Sequence, residues 1–286
     1  MNNVLTAITS IVKNITATSN LSSGRSIDNR MNQMGEALEE FVKNAFADCL
    51  NKDERHIKDA RNKVFSYLGN SNNPPDAMLK GGAAIEIKKL KTIGASQLQL
   101  NSSYPKNKLY VDNPKLCQSC RTCENWDVKD MLYVVGHIDN KTLKSLYFVY
   151  GDVYCDEKSV YKKVEDKIKE SIESIEEFQF TDTNELGRIN GVDHLEITDL
   201  RIRGMWLLAT PFKCFDYLIE HNQEYNFKLV AIVPTDKYMN FENREEFEAF
   251  SLLNGIDVVD EELPDPKNPA ELIETKVIKF ILHEIN

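Results

Sequence analysis

No stretch of this 286-residue chain is apolar for long enough to cross a bilayer. The N-terminus also lacks the basic start, apolar centre and small-residue cleavage site of a secretory signal, so a cytoplasmic protein with no membrane partner is expected. Low-complexity tracts and internal repeats are missing, which confines disorder to short loops. Cysteine is sparse: six residues without an export signal argue for reduced thiols or a metal site rather than a disulfide framework. Cys49, Cys155 and Cys214 read as ordinary buried thiols. Excess positive charge is missing too, since 35 Lys and Arg stand against 45 Asp and Glu, a net charge of −10. That balance counts against nucleic acid as a partner, because backbone contacts rely on cations neutralising phosphate. Distribution matters more than the total: acids concentrate in residues 156–185 and 241–274, whereas Lys88, Lys89, Lys91, Lys106 and Lys108 form a basic stretch upstream of both.

What is there reads as one domain over 1–286, with an N-terminal helix in 1–20, a core over 28–235 and a C-terminal extension over 236–286. Val4, Leu5, Ile8, Ile11, Val12 and Ile15 recur at helical spacing. A second helix is expected over about 32–50, with Met34, Leu38, Phe41, Val42, Ala45 and Phe46 on one stripe. A third, highly charged, runs from Lys52 to roughly Leu68. Two short strands follow, about 76–80 and 84–89, joined through Gly81 and Gly82, which suit a tight turn because glycine tolerates positive φ. Further strands are expected at 131–138, 146–153 and 229–233, and an exposed amphipathic helix at 158–176. Pro264, Pro266 and Pro269 mark an acidic loop before a final apolar segment, 277–285.

The chemistry concentrates in PPDAMLKGGAAIEIKK, residues 74–89. Successive side chains of a strand alternate faces, so Glu86 and Lys88 share one face while Ile85 and Ile87 take the other. Folding back through the two glycines brings Asp76 towards that polar face. Two carboxylates and one ammonium then converge beside an apolar layer. Hard oxygen ligands of this kind suit Mg²⁺, which prefers one or two carboxylates plus water and substrate phosphate oxygens. Phosphodiester hydrolysis needs that arrangement, because its transition state gathers negative charge that a metal stabilises. Asp76 and Glu86 would hold the metal, and Lys88 would orient the attacking water, help deprotonate it or stabilise phosphoryl charge. The same residues fit a surface hairpin with solvated charges. On the preceding helix, Glu39 lies beside the apolar stripe and is placed to reach the site, whereas Glu36 and Glu40 point away from it.

A glycine followed four residues later by glutamate on an amphipathic helix, then PD, then ExK on the next strand, is similar to the core order of PD-(D/E)xK nucleases. More narrowly, the chain resembles the NgoPII family of Type II restriction endonucleases. The segments that carry this are DNRMNQMGEALEEFVKNAFAD from Asp28, FSYLGNSNNPPDAMLKGGAAIEIKK from Phe65, LQLNSSYPKNKL from Leu98, CRTCENWDVKDMLYVVG from Cys120, LGRIN from Leu186 and LRIRGMW from Leu200. The resemblance implies an α/β fold with a PD-(D/E)xK core: a mixed central sheet flanked by helices, with helical and loop additions. It also implies Mg²⁺-dependent cleavage of double-stranded DNA at a short palindrome, a GGCC-like site, leaving 5′-phosphate and 3′-hydroxyl ends. A homodimer is expected because a palindrome offers two equivalent half-sites, and the cognate DNA methyltransferase is the expected partner in a restriction-modification system.

For DNA contact, Asn101, Ser102, Ser103 and Lys106 supply hydroxyl, amide and ammonium groups of the kind that bind phosphate oxygens. Arg188, Asn190, Arg201 and Arg203 form a second set, since arginine reads guanine O6 and N7 with its planar fork and residues two apart on a strand face the same way. Both sets also fit ordinary solvated surface. Cys117, Cys120 and Cys123 form C-x₂-C-x₂-C, a spacing able to share one structural Zn²⁺. Zinc normally takes four ligands, and the fourth would come from afar, from His137 or Cys155. Two other readings remain: a structure-directed or repair nuclease with the same core, and a non-catalytic binding module stabilised by zinc.

Overall fold

The computed structural model describes residues 1–15, 30–70, 73–92, 94–101, 103–140, 142–183, 185–219 and 225–283. Helix α1 (Val4–Lys13) starts at Asn3, whose side chain accepts the N–H groups of Leu5 and Thr6 while the Thr6 hydroxyl accepts that of Asn3. Such a reciprocal cap satisfies donors that a helix end leaves without partners. Helix α2 (Arg30–Phe46) buries Leu38, Phe41, Val42, Ala45 and Phe46. Each such side chain contributes about 2 kcal/mol on burial, which decides the face α2 turns to the sheet.

Helix α3 (Glu54–Val64), capped by Asp53 accepting the His56 N–H, buries no residue. It ends four residues earlier than its charge pattern suggests. Phe65 and Tyr67 instead open β1 (Phe65–Asn70), where aromatic side chains fit a pleated surface better than another helical turn. The expected hairpin follows as β2 (Asn73–Leu79) and β3 (Ala84–Leu90), with Gly81 at φ +63° in its turn. Next come β4 (Gln97–Asn101), β5 (Lys108–Tyr110), the short α4 (Gln118–Arg121), β6 (Val128–Asp139) and β7 (Thr142–Tyr150). They lead to α5 (Lys158–Glu173), β8 (Gln179–Thr181), β9 (Gly187–Asn190), β10 (Leu200–Ile202), β11 (Met205–Ala209) and α6 (Pro211–Cys214). The chain ends in β12 (Tyr225–Pro234), α7 (Thr235–Met239), α8 (Arg244–Leu253), β13 (Ile256–Asp265) and β14 (Asn268–His283).

Among the described residues, the central sheet runs β1-β2-β3-β6-β7-β12-β14-β13, with β5 attached to β6. It is mixed: β3–β6 and β7–β12 are parallel, and the other neighbours are antiparallel. One face carries Ala77, Ile85, Ile87, Leu132 and Val134 against α1 and α2, while Met78, Ala84, Met131, Tyr133 and Val135 belong to a second core with Cys120 and Phe212. A mixed sheet with helices on both sides therefore sets the architecture. The segment 236–286 is more than an extension, because β13 and β14 complete this sheet and Pro264 pairs with Leu272 instead of standing in a loop. Helix α5 is exposed, with no buried residue, as its charge pattern suggests. No helix among the described residues is long and apolar enough to cross a membrane.

Candidate active site

The β2–β3 ladder pairs only Ala77 with Ile85 and Met78 with Ala84 before the strands part. Beyond that point the Ile87 N–H is taken up by a side chain, donating to Asp76 Oδ2 at 2.6 Å. A carboxylate thus replaces a main-chain acceptor where the strands open, and this fixes Asp76 beside β3. Asp76, Glu86 and Lys88 alternate with the residues packed against α1 and α2, so all three face the other side of the sheet. There the Lys88 ammonium lies 2.6 Å from Glu86 Oε1, with the lysine and glutamate side chains 28% and 19% exposed. The group is half-sheltered and still open to a ligand.

The electrostatics follow from that crowding. Burial, then the Glu86 charge and the more distant Glu39 charge, push Asp76 up to about 7, although Lys88 and the Ile87 N–H oppose the rise. Burial also works against ionising Glu86, but Lys88 and Lys106 outweigh it and hold the carboxyl below its usual range. For Lys88 burial disfavours the ammonium, yet Glu86, Asp76 and Glu39 together raise it, so the amine stays protonated. Glu39, on α2, bridges to the buried Lys43 at 3.2 Å while its field reaches Asp76 and Lys88.

Lys106 enters from the loop after β4 into a narrow recess with Pro74, Pro75, Glu86, Ser103, Asn113 and Lys115. Its ammonium contacts Ser103 Oγ and the Tyr104 carbonyl, and burial pushes it down to about 8. The Tyr133 hydroxyl fixes the Lys106 backbone, accepting its N–H at 2.7 Å and donating to its carbonyl at 3.2 Å. Gly151 lets this loop come close, since a Cβ there would sit 2.6 Å from the Lys106 carbonyl oxygen. Sequence reasoning missed Tyr133: only the register opposing it to Glu86 reveals its place. Tyr104 stacks on Tyr161 of α5 at 5.7 Å, and Tyr161 meets Trp206 of β11 edge-on, so the loop is braced from outside.

Of the other expected DNA contacts, Asn101 closes β4 opposite Met205, and Ser102 lies outside the described residues. Arg188, Arg201 and Arg203 belong to the small sheet β8-β9-β10 and its edge: Arg188 pairs with Asp199, and Arg201 and Arg203 both pair with Glu185. Lys108, counted in the basic stretch, is instead shared between Asp130 and Asp152. A cleft of about 660 Å³ beside Gly81, Glu124, Lys129 and Lys237 is larger than the recess at Glu86, but it lies at the turn end of the hairpin. A duplex is read across a surface, so size does not favour that cleft.

The three clustered cysteines take separate partners. Cys117 Sγ contacts the Tyr67 hydroxyl at 3.2 Å, Cys120 Sγ lies 3.4 Å from Met78 Sδ in the core, and Cys123 Sγ donates to the Cys120 carbonyl. Burial pushes the Cys120 thiol up to about 12, while hydrogen bonds from Ser119 and Tyr67 hold Cys117 below its usual range. No group of three or more His, Cys, Asp or Glu is arranged to hold a metal among the described residues. The loop also braces the hairpin: Glu124 accepts the Gly81 N–H at 3.0 Å and pairs with Lys129, which donates to the carbonyls of Leu79 and Gly82. Cys49 and Cys155 are buried thiols as expected, while Cys214 is only partly buried.

Comparison with known proteins bears on this geometry. A family model described as NgoPII restriction endonuclease matches residues 2–262. The chain belongs to the NgoPII restriction endonuclease family. It is 42% identical over 281 residues to the Type II restriction enzyme NgoPII of Neisseria gonorrhoeae, covering 98% of this chain and 100% of that protein. No solved structure matches it. Membership in an enzyme family sets aside the reading of the chain as a non-catalytic module. The matched span contains Glu39, Asp76, Glu86, Lys88 and Lys106.

Proposed function

We propose that this chain is a Type II restriction endonuclease of the PD-(D/E)xK kind, cutting double-stranded DNA at a short palindrome, GGCC-like by family, to leave 5′-phosphate and 3′-hydroxyl ends. The observation that carries this reading is the convergence of Asp76, Glu86 and Lys88 where β2 and β3 part, with the 2.6 Å contact between Lys88 and Glu86. Asp76 and Glu86 are the residues that would hold Mg²⁺, and the fit rests on their chemistry: two crowded carboxylates, one with its ionisation suppressed by burial and then by the other's charge, form a site that a hard divalent cation would relieve. When bound, such an ion supplies electrostatic stabilisation of the charge gathering on the phosphoryl group.

The chain's own groups do the rest. The Ile87 N–H keeps the Asp76 carboxylate oriented. Lys88, held protonated by its neighbours, is suited to orienting the attacking water and balancing phosphoryl charge, and less to removing a proton. Lys106 offers a second cation in the recess beside Glu86, held by Ser103 and Tyr133, where it would contact a phosphate oxygen. Glu39, whose charge reaches Asp76 and Lys88, would help set the field around the ion. A palindrome presents two equivalent strands, so a homodimer would place one such site on each, and a methyltransferase of matching specificity would protect the host DNA.

Lys88→Ala and Asp76→Ala proteins should bind the cognate duplex and lose cutting by at least about 100-fold, a general acid–base and charge-stabilising contribution of ordinary size. Retained cutting by both variants would remove the site. Discrete fragments from a plasmid digest support sequence specificity, whereas a smear or cutting at junctions favours a structure-directed nuclease.

A further inference from the structure

Strands β9 and β10 pair Arg201 directly opposite Arg188, and Leu200 opposite Ile189. Directly opposed residues share a face, so Arg188 and Arg201 point the same way, and Arg203, just past the end of β10, joins Arg201 on one carboxylate. The reverse face is apolar: Ile189 is buried and stands opposite Phe180 of β8, whose ring fills the space a Cβ at Gly187 would need. Like charges placed opposite each other destabilise a strand pair, so Arg188 facing Arg201 needs a reason.

The acids around them are not arranged as simple neutralisers. Glu185 accepts from Arg201 Nε through Oε2 at 2.6 Å and from Arg203 Nε through Oε1 at 2.9 Å. The carboxylate is only 11% exposed, while the arginine side chains are 65% and 54% exposed. A sheltered acid therefore grips two largely exposed cations by their Nε edge. Arginine reads guanine O6 and N7 with its terminal Nη pair, a different edge from the Nε–H that Glu185 engages. The location suits this use. Arg203 is two residues before Met205, which pairs with Asn101 at the start of the loop carrying Lys106. The Glu185 charge is also felt at Lys115, which lines the Glu86 recess.

We propose that Glu185 is a positioning residue for sequence reading: it fixes Arg201 and Arg203 as one paired donor set aimed at guanine edges in the major groove. The inference rests on the reading of these arginines as DNA contacts. Residues two apart on an extended chain are about 6.6 Å apart, close to two base-pair steps, so a fixed pair matches bases two steps apart and a loose pair does not.

The test digests a phage genome with Mg²⁺ and sequences fragment ends, comparing cuts at the dominant sequence with cuts at its single-base variants. The wild type, Glu185→Gln, Arg201→Ala and Arg203→Ala are compared, with thermal melts to check folding. Glu185→Gln should melt near the wild type, lower the ratio of cognate to mismatched cuts by about 10- to 100-fold, and raise KM more than it lowers kcat. If the arginine variants change the ratio and Glu185→Gln does not, the positioning role is wrong while the DNA contact stands. If the arginine variants cut with an unchanged ratio, the DNA-contact reading fails and takes this inference with it. Faster cutting by Glu185→Gln would also overturn it, by making Glu185 a lock that holds the arginines away from DNA.

Discussion

Replacing Asp76 by asparagine in metal-free protein should stabilise the fold near pH 8 far more than near pH 4. The carboxyl is raised from its ordinary 3.8 to about 7 by burial and by the charge of Glu86. Between those values the unfolded chain has already released the proton while the folded chain keeps it, so folding takes up a proton and stability falls as pH rises. Above the folded value the loss is complete. A rise of roughly three pH units at about 1.4 kcal/mol each gives a ceiling of about 4 kcal/mol. Asp76 is partly open to water, so about 2 to 4 kcal/mol is expected. Asparagine keeps the shape and an oxygen for the Ile87 N–H but carries no charge to bury.

The assay is thermal or urea denaturation in EDTA, with wild type and Asp76→Asn compared at pH 4.5, 6 and 8. The stability gap between the two proteins should widen through that range, by about 4 to 8 °C in melting temperature for a chain of this size. Adding Mg²⁺ at pH 8 should then raise the melting temperature of the wild type and leave the variant in place. A gap that stays constant from pH 4.5 to 8 would refute the crowding of Asp76 against Glu86 on which the site depends.

Two further outcomes follow from the packing. Gly151→Ala forces a Cβ to within 2.6 Å of the Lys106 carbonyl oxygen and 2.7 Å of the Asn107 carbonyl oxygen, both backbone atoms with little freedom to move. It should cost about 1–3 kcal/mol in a denaturant melt and slow cutting by displacing Lys106, and a variant as stable and active as the wild type would contradict this placement. A zinc-selective chelator should leave the melting temperature unchanged, because the Cys117, Cys120 and Cys123 thiols engage Tyr67, Met78 and a local carbonyl; a drop restored by zinc and not by Mg²⁺ would establish a structural zinc site.

Where the sequence was legible, local spacing carried the information. The α1 and α2 stripes, the Gly81 turn and the shared face of Glu86 and Lys88 all depend on residues a few positions apart, and each stands close to where periodicity put it. Misreadings fell where distant partners decide. Helical charge spacing extends through Phe65 and Tyr67, but pairing with β2 turns them into a strand. The acidic, proline-marked segment near 264 reads as a loop because its partner, β14, lies beyond a turn and is itself held by β12. Tyr133 and Glu185 could not be singled out from spacing, since one is placed by strand register and the other contacts arginines 16 and 18 residues away.

The same distinction resolves the objection raised by a net charge of −10. Formal charge treats every ionised group as available to a partner, yet much of it is spent at close range. On α5 and just after it, Lys162 pairs with Asp166, Lys167 with Glu170 and Lys169 with Asp182, so part of the acid in 156–185 is screened by lysines of the same segment. The basic stretch is discounted likewise, because Lys88 faces Glu86 and Lys108 is held by two aspartates. Beyond about 10 Å exposed pairs of this kind cancel in ordinary salt. If Arg201, Arg203 and Lys106 contact DNA as proposed, a phosphate backbone would meet those fixed cations before any whole-molecule field. On that proposal, affinity would depend on where a few cations are fixed, and the acids that fix them would lower the total charge while making the contact possible.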